Sequence, residues 1–326
     1  SILLLIDIFD DNLKKSLTDY LSLNSSEIFK QSIKIILIYT SLTLLIFIIL
    51  KFINLRTFDA FNFSLTIISS GGFLPTNNIN ILFQTDISKF ILSILMLISF
   101  FSLFLTYNLV FFKRKNLHYL SEDFYLLIYL LIIISIIFVF FNSEKIFLNT
   151  LVSISSSVSN LGISFNDISS NLSFVYLILV IIGGSFFSTS SGLRLIKILN
   201  LIKFSLNNLL SHTKPNQIYL NKVTLIDRNV FKTDINKYFL TIIIFIISLF
   251  SITLLLTISN IDFESSFKLG ILTIMNTVNS HMYDLHNFDF YNLAFFSKFC
   301  LIIFMIIGRV ELLTILILFK KFLFKN

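Results

Sequence analysis

The chain has 326 residues, of which 56% are hydrophobic and only 13% charged, and its mean hydropathy is +0.89. A soluble domain of this length has no use for so much apolar surface, which excludes a soluble globular protein; the net charge of +7 flanks apolar runs, which argues against nucleic-acid binding. The single cysteine, Cys300, excludes an internal disulfide and a cysteine metal cluster.

Residues 1–9 (SILLLIDIF) lack the charged start and cleavage site of a signal peptide and read as the tail of an apolar helix that began earlier. Residues 10–31 form a polar connection of mixed charge. Residues 33–53 are apolar and long enough to cross a bilayer, which takes roughly 20 residues. The next segment, 57–70 (TFDAFNFSLTIISS), is too short to span. It carries Asp59 near its start, where a helix N-terminus favours an acid, and it ends on Gly71-Gly72-Phe73. Residues 87–112 then cross back to Lys113-Arg114-Lys115.

The pattern recurs twice. Residues 124–141 cross, 145–158 (KIFLNTLVSISSSV) form a short half-span ending on Ser159-Asn160-Leu161-Gly162, and the chain returns from Ser173. After the 205–236 connection, 238–258 cross, 263–276 (FESSFKLGILTIMN) form the half-span ending on Thr277-Val278-Asn279-Ser280, and 292–319 return to Lys320-Lys321. The unit is about 100 residues long: span, half-helix, polar loop, span. Such repeats surround a pathway near the bilayer midplane. A half-helix that ends on a polar loop turns its backbone carbonyls and its negative dipole end toward that pathway, an arrangement that suits cations and is the building plan of potassium channels.

The second return span is interrupted. Between the apolar runs 173–182 and 195–204 lies GGSFFSTSSGLR, with Gly183, Gly184, Ser188, Thr189, Ser190 and Gly192. Against lipid, the freed backbone groups of such a break would go unpaired, so it must be buried in protein or line a water-filled route. A loop between two short helices outside the membrane is the other reading of the same composition. Six of the eight glycines fall at half-helix ends or in this break, where the backbone needs positive φ or close approach; Gly270 and Gly308 lie on helices and serve close packing. Most of the 25 Lys and Arg lie in residues 10–34, 113–120, 194–238 and 320–326, which the positive-inside rule places in the cytoplasm.

Four stretches together resemble one family. Ser69-Ser70-Gly71-Gly72-Phe73 looks like a filter of S-T-G-G-F type. Gly183-Gly184, Ser188-Thr189, Gly192 and Lys197 are similar to an intramembrane loop G-G-x-x-x-S-T-x-G-G-x-K. Residues 212–223 (HTKPNQIYLNKV) resemble a cytoplasmic H-P-x-A-V-Y-P-x-K segment, and Gly308-Arg309-Val310-Glu311 matches a G-R-L-E in the last helix. By these motifs, in this order, the chain resembles the membrane subunit of the Trk/Ktr/HKT superfamily of potassium transporters, of the bacterial TrkH type, over essentially its whole length.

The resemblance implies an all-α integral membrane fold of span–pore-helix–span units around a pseudo-fourfold central pore. This chain would supply the second repeat (32–118), the third with its broken inner helix (119–222) and the fourth (223–326), with 1–31 as the first repeat's inner-helix tail and linker. The rest of the first repeat is missing and is needed to complete a filter. Potassium, or sodium, would pass the carbonyls of Ser70, Gly71, Leu161, Gly162, Val278 and Asn279, with Gly72 beside them. The loop holding Gly183, Gly184, Ser188, Thr189, Ser190 and Gly192 would be the gate, and Arg309 an electrostatic barrier near it; a structural ion pair between helices is the other reading of Arg309. Glu311, two residues on, lies on another helix face and is a poor partner for Arg309.

One departure stands out: Asn279 takes the place of the fourth filter loop's usual glycine, which leaves open whether potassium or sodium is preferred. His281 and His286 read as solvent-facing loop residues rather than metal ligands. The family works as a homodimer on a cytoplasmic ring of nucleotide-binding regulatory subunits, in the bacterial inner membrane. This chain has no Walker motif, so nucleotide sensing would belong to that partner, docking on 113–123, 194–236 or 320–326; no cofactor is expected on the chain itself. An intramembrane enzyme is a poor reading, because no G-x-S-x-G or H-E-x-x-H occurs and His118 and His212 fall in cytoplasmic loops. A non-conducting or regulatory degenerate homologue is the alternative, motivated by Asn279 and the missing repeat.

Overall fold

The structure, a computed structural model, describes residues 28–74, 79–101, 118–140, 147–165, 172–185, 188–213, 232–285 and 290–309. The segments 1–27, 102–117 and 310–326, and with them Glu311 and the terminal lysines, lie outside the described residues, as does His286.

Three helical triplets follow one another. The first is α1 (Ile28–Phe52), α2 (Thr57–Ser69) and, after a one-turn helix α3 (Ile79–Leu82), α4 (Asp86–Ile98). The second is α5 (His118–Phe140), α6 (Phe147–Val158) and α7 (Ser173–Ile181). Two short strands follow, β1 (Ile182–Gly183) and β2 (Leu193–Arg194), and then α8 (Leu195–Thr213). The last triplet is α9 (Lys232–Ile258), α10 (Phe263–Ile274) and α11 (Phe295–Arg309). This is the helical architecture expected from the sequence, with the middle helix of each triplet short. At 13, 12 and 12 residues, α2, α6 and α10 are about 18–20 Å long, well under the roughly 30 Å of a bilayer core.

Among the described residues, Tyr238–Ile258 in α9 is long and apolar enough to cross a membrane by itself. Ile36–Phe52, Asp123–Val139 and Phe295–Gly308 form shorter apolar helices. What these helices leave outside is as apolar as what they bury. Leu37, Leu44 and Ile48 on α1, Leu131, Ile136 and Val139 on α5, Ile247, Phe250 and Leu254 on α9, and Phe299, Ile302 and Ile306 on α11 are all exposed. In water such stripes would aggregate; in a bilayer they are the ordinary lipid face.

The short helices sit in the interior. On α6 every residue from Val152 to Val158 is buried, and on α10 so is every residue from Lys268 to Ile274. One apolar cluster joins Leu126 and Leu130 of α5, Val158 of α6, Tyr176 and Val180 of α7, Ile252 and Leu256 of α9 and Leu272 of α10. A second joins Ile46 and Leu50 of α1, Phe63 and Ile67 of α2, and Leu92 and Met96 of α4 to Val152 of α6. Triplets one and two are also tied by Lys89 of α4, whose Nζ donates to Asn149 Oδ1 at 2.9 Å and lies 5.0 Å from the centre of the Phe165 ring.

Local chemistry starts the short helices. Asp262 caps α10, its carboxylate accepting from Ser265 N at 2.9 Å, and this bond holds the carboxyl below the usual range. Asp59 lies in the first turn of α2, where the helix dipole favours it, and is buried there. Gly270 lets α10 press against Ile252 and Thr253 of α9, and a Cβ on Gly308 would collide with the carbonyl of Ile274; both are the close packing expected of helical glycines.

Candidate functional site

The three short helices end identically. Ser70, Asn160 and Asn276 take left-handed φ of 50°, 59° and 52°. The next residue's N–H then reaches back five residues: Gly71 to Thr66 O at 3.0 Å, Leu161 to Ser156 O at 2.9 Å, and Thr277 to Leu272 O at 2.9 Å. Asn tolerates this conformation better than most residues, which explains two of the three caps. The cap ends the helix abruptly and sends the loop off extended from the negative end of its dipole.

The caps fix the register of the loops. Two residues beyond them stand Gly72 (φ 70°), Gly162 (φ 77°) and Val278, the last without positive φ. Counted from the caps, Val278 stands where Gly72 and Gly162 stand; counted by contacts, Val278 O meets Gly162 as Leu161 O meets Gly72, which keeps Asn279 in the place the sequence gives it. A β-branched residue is strongly disfavoured in the left-handed region, so the third loop runs differently from its two counterparts at this point.

The glycines are also where the loops meet. A Cβ on Gly72 would collide with the carbonyl of Leu161, and one on Gly162 with the carbonyl of Val278. Ser70, Gly71, Gly72, Leu161, Gly162 and Val278 therefore belong to one cluster. Asn160 pins it from behind, its Nδ2 donating to Val180 O at 3.0 Å and to Thr277 Oγ1 at 3.3 Å. Asn279 adds a buried side-chain oxygen with no hydrogen-bond partner. Between the first and third loops lies a mainly apolar cleft of about 600 Å³, bordered by Ser70, Gly71 and Phe73 on one side and Leu272, Asn276 and Val278 on the other.

The broken segment packs against this cluster. The β1 and β2 strands pair in parallel, Ile182 with Leu193 and Gly183 with Arg194, so the chain leaves α7, makes a loop and restarts as α8 from nearly the same place. The loop's backbone groups find partners within the protein, as a break at bilayer depth requires. Ser185 N donates to Phe100 O at 3.1 Å and Ser190 N to Ser99 O at 3.3 Å, both at the end of α4. Gly184 N donates to Ser190 Oγ at 3.0 Å. A Cβ on Gly184 would collide with Phe100 O and one on Gly183 with Ser191 O, while Gly192 has φ 99°. Residues 186–187 lie outside the described residues.

The loop reaches the filter-like cluster at two points. The Thr189 hydroxyl lies 3.4 Å from that of Ser70 and also donates to Ser99 O. The Ser191 hydroxyl donates to the carbonyl of Met275, just before the third cap. The loop also borders a cavity of about 340 Å³ lined by Ser188, Ser190, Gly192, Arg194, Lys197 and Gly308, among others. Arg309 is the last described residue of α11, next to Gly308 at this cavity; its side chain lies outside the described residues.

Sequence reasoning missed Arg194. Its half-buried guanidinium Nη1 donates to Ser185 O at 2.8 Å, Ser188 Oγ at 2.8 Å and Ser190 O at 3.0 Å, at the centre of the loop. The sequence singles out Lys197 instead, which is buried one turn into α8 and lines the cavity. A basic residue two positions after Gly192, inside a glycine and serine break, was the available signal; it reads too easily as a membrane-flank charge.

No family model matches the chain, and no curated protein matches it. Among solved structures it is similar to the potassium transporter TrkH from Vibrio parahaemolyticus, with a TM-score of 0.78 and 21% identity, covering 90% of this chain and 64% of that one. The fold is therefore that of a helical membrane transporter, and the chain spans about two thirds of the length of the protein it matches.

Proposed function

We propose that this chain is the pore-forming membrane subunit of a monovalent-cation uptake system, carrying potassium or sodium, and is not an enzyme. The observation that carries this reading is the convergence of three half-helices with one cap geometry, whose loops abut at Gly72–Leu161 and Gly162–Val278. Carbonyls of Ser70, Gly71, Leu161, Gly162, Val278 and Asn279 would replace the ion's water, each loop at the negative end of a helix dipole. The 183–192 loop would be the gate and Arg309 a barrier beside it.

On this reading the cleft between the first and third loops is the place of a fourth span–half-helix–span unit, preceding residue 1 or supplied separately. Exposure supports this: α6 and most of α10 are buried, but α2 leaves Phe58, Phe61 and Leu65 exposed along one face leading to Ser69 at the cleft. The complete pore would be a homodimer in a bacterial inner membrane, its basic loops cytoplasmic and bound to a nucleotide-sensing ring.

The second reading, a non-conducting or regulatory homologue, is favoured by Val278, which denies the third loop the left-handed turn of the other two. Growth decides between them. Cells lacking their own potassium transporters, given this chain with its fourth unit and its ring, should grow at low external potassium. No growth and no sodium uptake, with the protein present in the membrane, leaves only the non-conducting reading.

A further inference from the structure

The three oxygens around Arg194 have the character of an ion site. Guanidinium Nη1 carries two hydrogens, yet three acceptors lie within 3.0 Å of it: Ser185 O, Ser188 Oγ and Ser190 O. At least one of them shares a hydrogen or is held by charge alone. We propose that these three oxygens form a binding site for a monovalent cation, and that Arg194 is a tethered occupant which competes with the transported ion for it. The proposal rests on reading the chain as a cation pore.

The chemistry of the set favours a monovalent ion. All three ligands are neutral, two backbone carbonyls and a hydroxyl, and no carboxylate lines the adjoining cavity among the described residues. Divalent ions demand carboxylates or a retained water shell, whereas neutral carbonyl and hydroxyl oxygens suit an alkali cation that must also leave again.

The oxygens are held without help from Arg194. Ser185 N is fixed to Phe100 O and Ser190 N to Ser99 O, and the Ser188 hydroxyl donates to Ser185 O at 2.8 Å. Removing the guanidinium therefore leaves the three oxygens in place, with Ser185 O still accepting from Ser188 N at 3.1 Å and from the Ser188 hydroxyl. The position suits an ion in transit. Ser188, Thr189, Ser190 and Arg194 all border the cavity, and Thr189, between the two serines, also touches Ser70 of the first filter loop. While Arg194 sits there, a second cation is both displaced and repelled; when it swings into the cavity, the site is free.

The test uses the full-length protein in detergent and in liposomes, with Arg194→Ala, Arg194→Lys and the double variant Arg194→Ala/Ser188→Ala. Melting is measured in rubidium chloride and in choline chloride at equal ionic strength. Wild type and Arg194→Lys, which keep a tethered cation, should show in rubidium only the shift that binding at the filter carbonyls gives. Arg194→Ala should be stabilised by rubidium by several degrees more than wild type, and by a few millimolar methylguanidinium, as a ligand stabilises the state it binds. The double variant should fall back to the wild-type response to rubidium and lose the response to methylguanidinium. In liposomes, Arg194→Ala should pass rubidium about tenfold faster than wild type and be slowed again by methylguanidinium.

An Arg194→Ala protein that responds to rubidium no more than wild type, or that does not fold even in rubidium, overturns the proposal, as does a double variant that responds as fully as the single one. Failure of the pore reading looks different: no variant conducts, yet rubidium still stabilises Arg194→Ala. Wild-type flux with an Arg194→Ala protein no more responsive to rubidium than wild type keeps the pore and removes this site.

Discussion

Val278 is where one side chain decides most. Gly72 and Gly162 use positive φ to bring their loops together, and Val278 stands in the same register without it. Val278→Gly should let the third loop adopt the turn of the other two, and the ratio of rubidium to sodium uptake should rise several-fold. An unchanged ratio would place selectivity elsewhere in the loops. Gly162→Ala should do the opposite: its Cβ meets the backbone of Val278, which cannot yield cheaply, so uptake should fall at least tenfold while the protein still reaches the membrane. Asn160 combines a left-handed cap with two bonds to neighbouring segments, so Asn160→Ala should cost about 1–3 kcal/mol, read as a lower melting temperature in detergent. The register of these residues was not legible in the sequence. The third loop has no glycine, and Asn276 and Asn279 are equally plausible left-handed residues until the backbone angles are known. Arg194 was hidden for a different reason: its three acceptors are near only because two-residue strands pair in parallel, a contact no periodicity announces.

Among the elements, the half-helices were the most legible. Their shortness and their polar ends are written as apolar runs that stop too soon, and each appears within two residues of where the sequence puts it. Their starts rest on caps that can be tested. Asp262→Ala should destabilise α10 by about 1 kcal/mol, while Asp262→Asn, still a good cap, should cost less. The carboxyl of Asp262 is held below its ordinary range, so its contribution is full above the unfolded-state value and is lost only as pH falls through the lower, folded value. A melting curve of wild type against Asp262→Asn should therefore be parallel through neutral pH and converge in acid. The broken segment was legible as a break, because two adjacent glycines and five hydroxyl residues cannot face lipid. Its bonding to Ser99, Phe100 and Met275 was not, since those partners come from other helices.

For the whole molecule, composition establishes the membrane setting, and the exposed apolar stripes of α1, α5, α9 and α11 agree with it. The fold similarity at a TM-score of 0.78 gives the architecture a known counterpart. The account predicts that the exposed face of α2 is covered in the working assembly. Phe61→Cys should then be reactive toward a small thiol reagent in this chain alone and protected once the fourth unit is present; equal labelling in both would mean that the face meets lipid. The central claim, a monovalent-cation pore through the three loops, is tested most directly by rubidium flux into liposomes containing the purified assembly, wild type beside Gly162→Ala. The account predicts rubidium entry by wild type and at least a tenfold loss in the variant. Equal flux from both, or none from a folded and correctly inserted wild type, would contradict it.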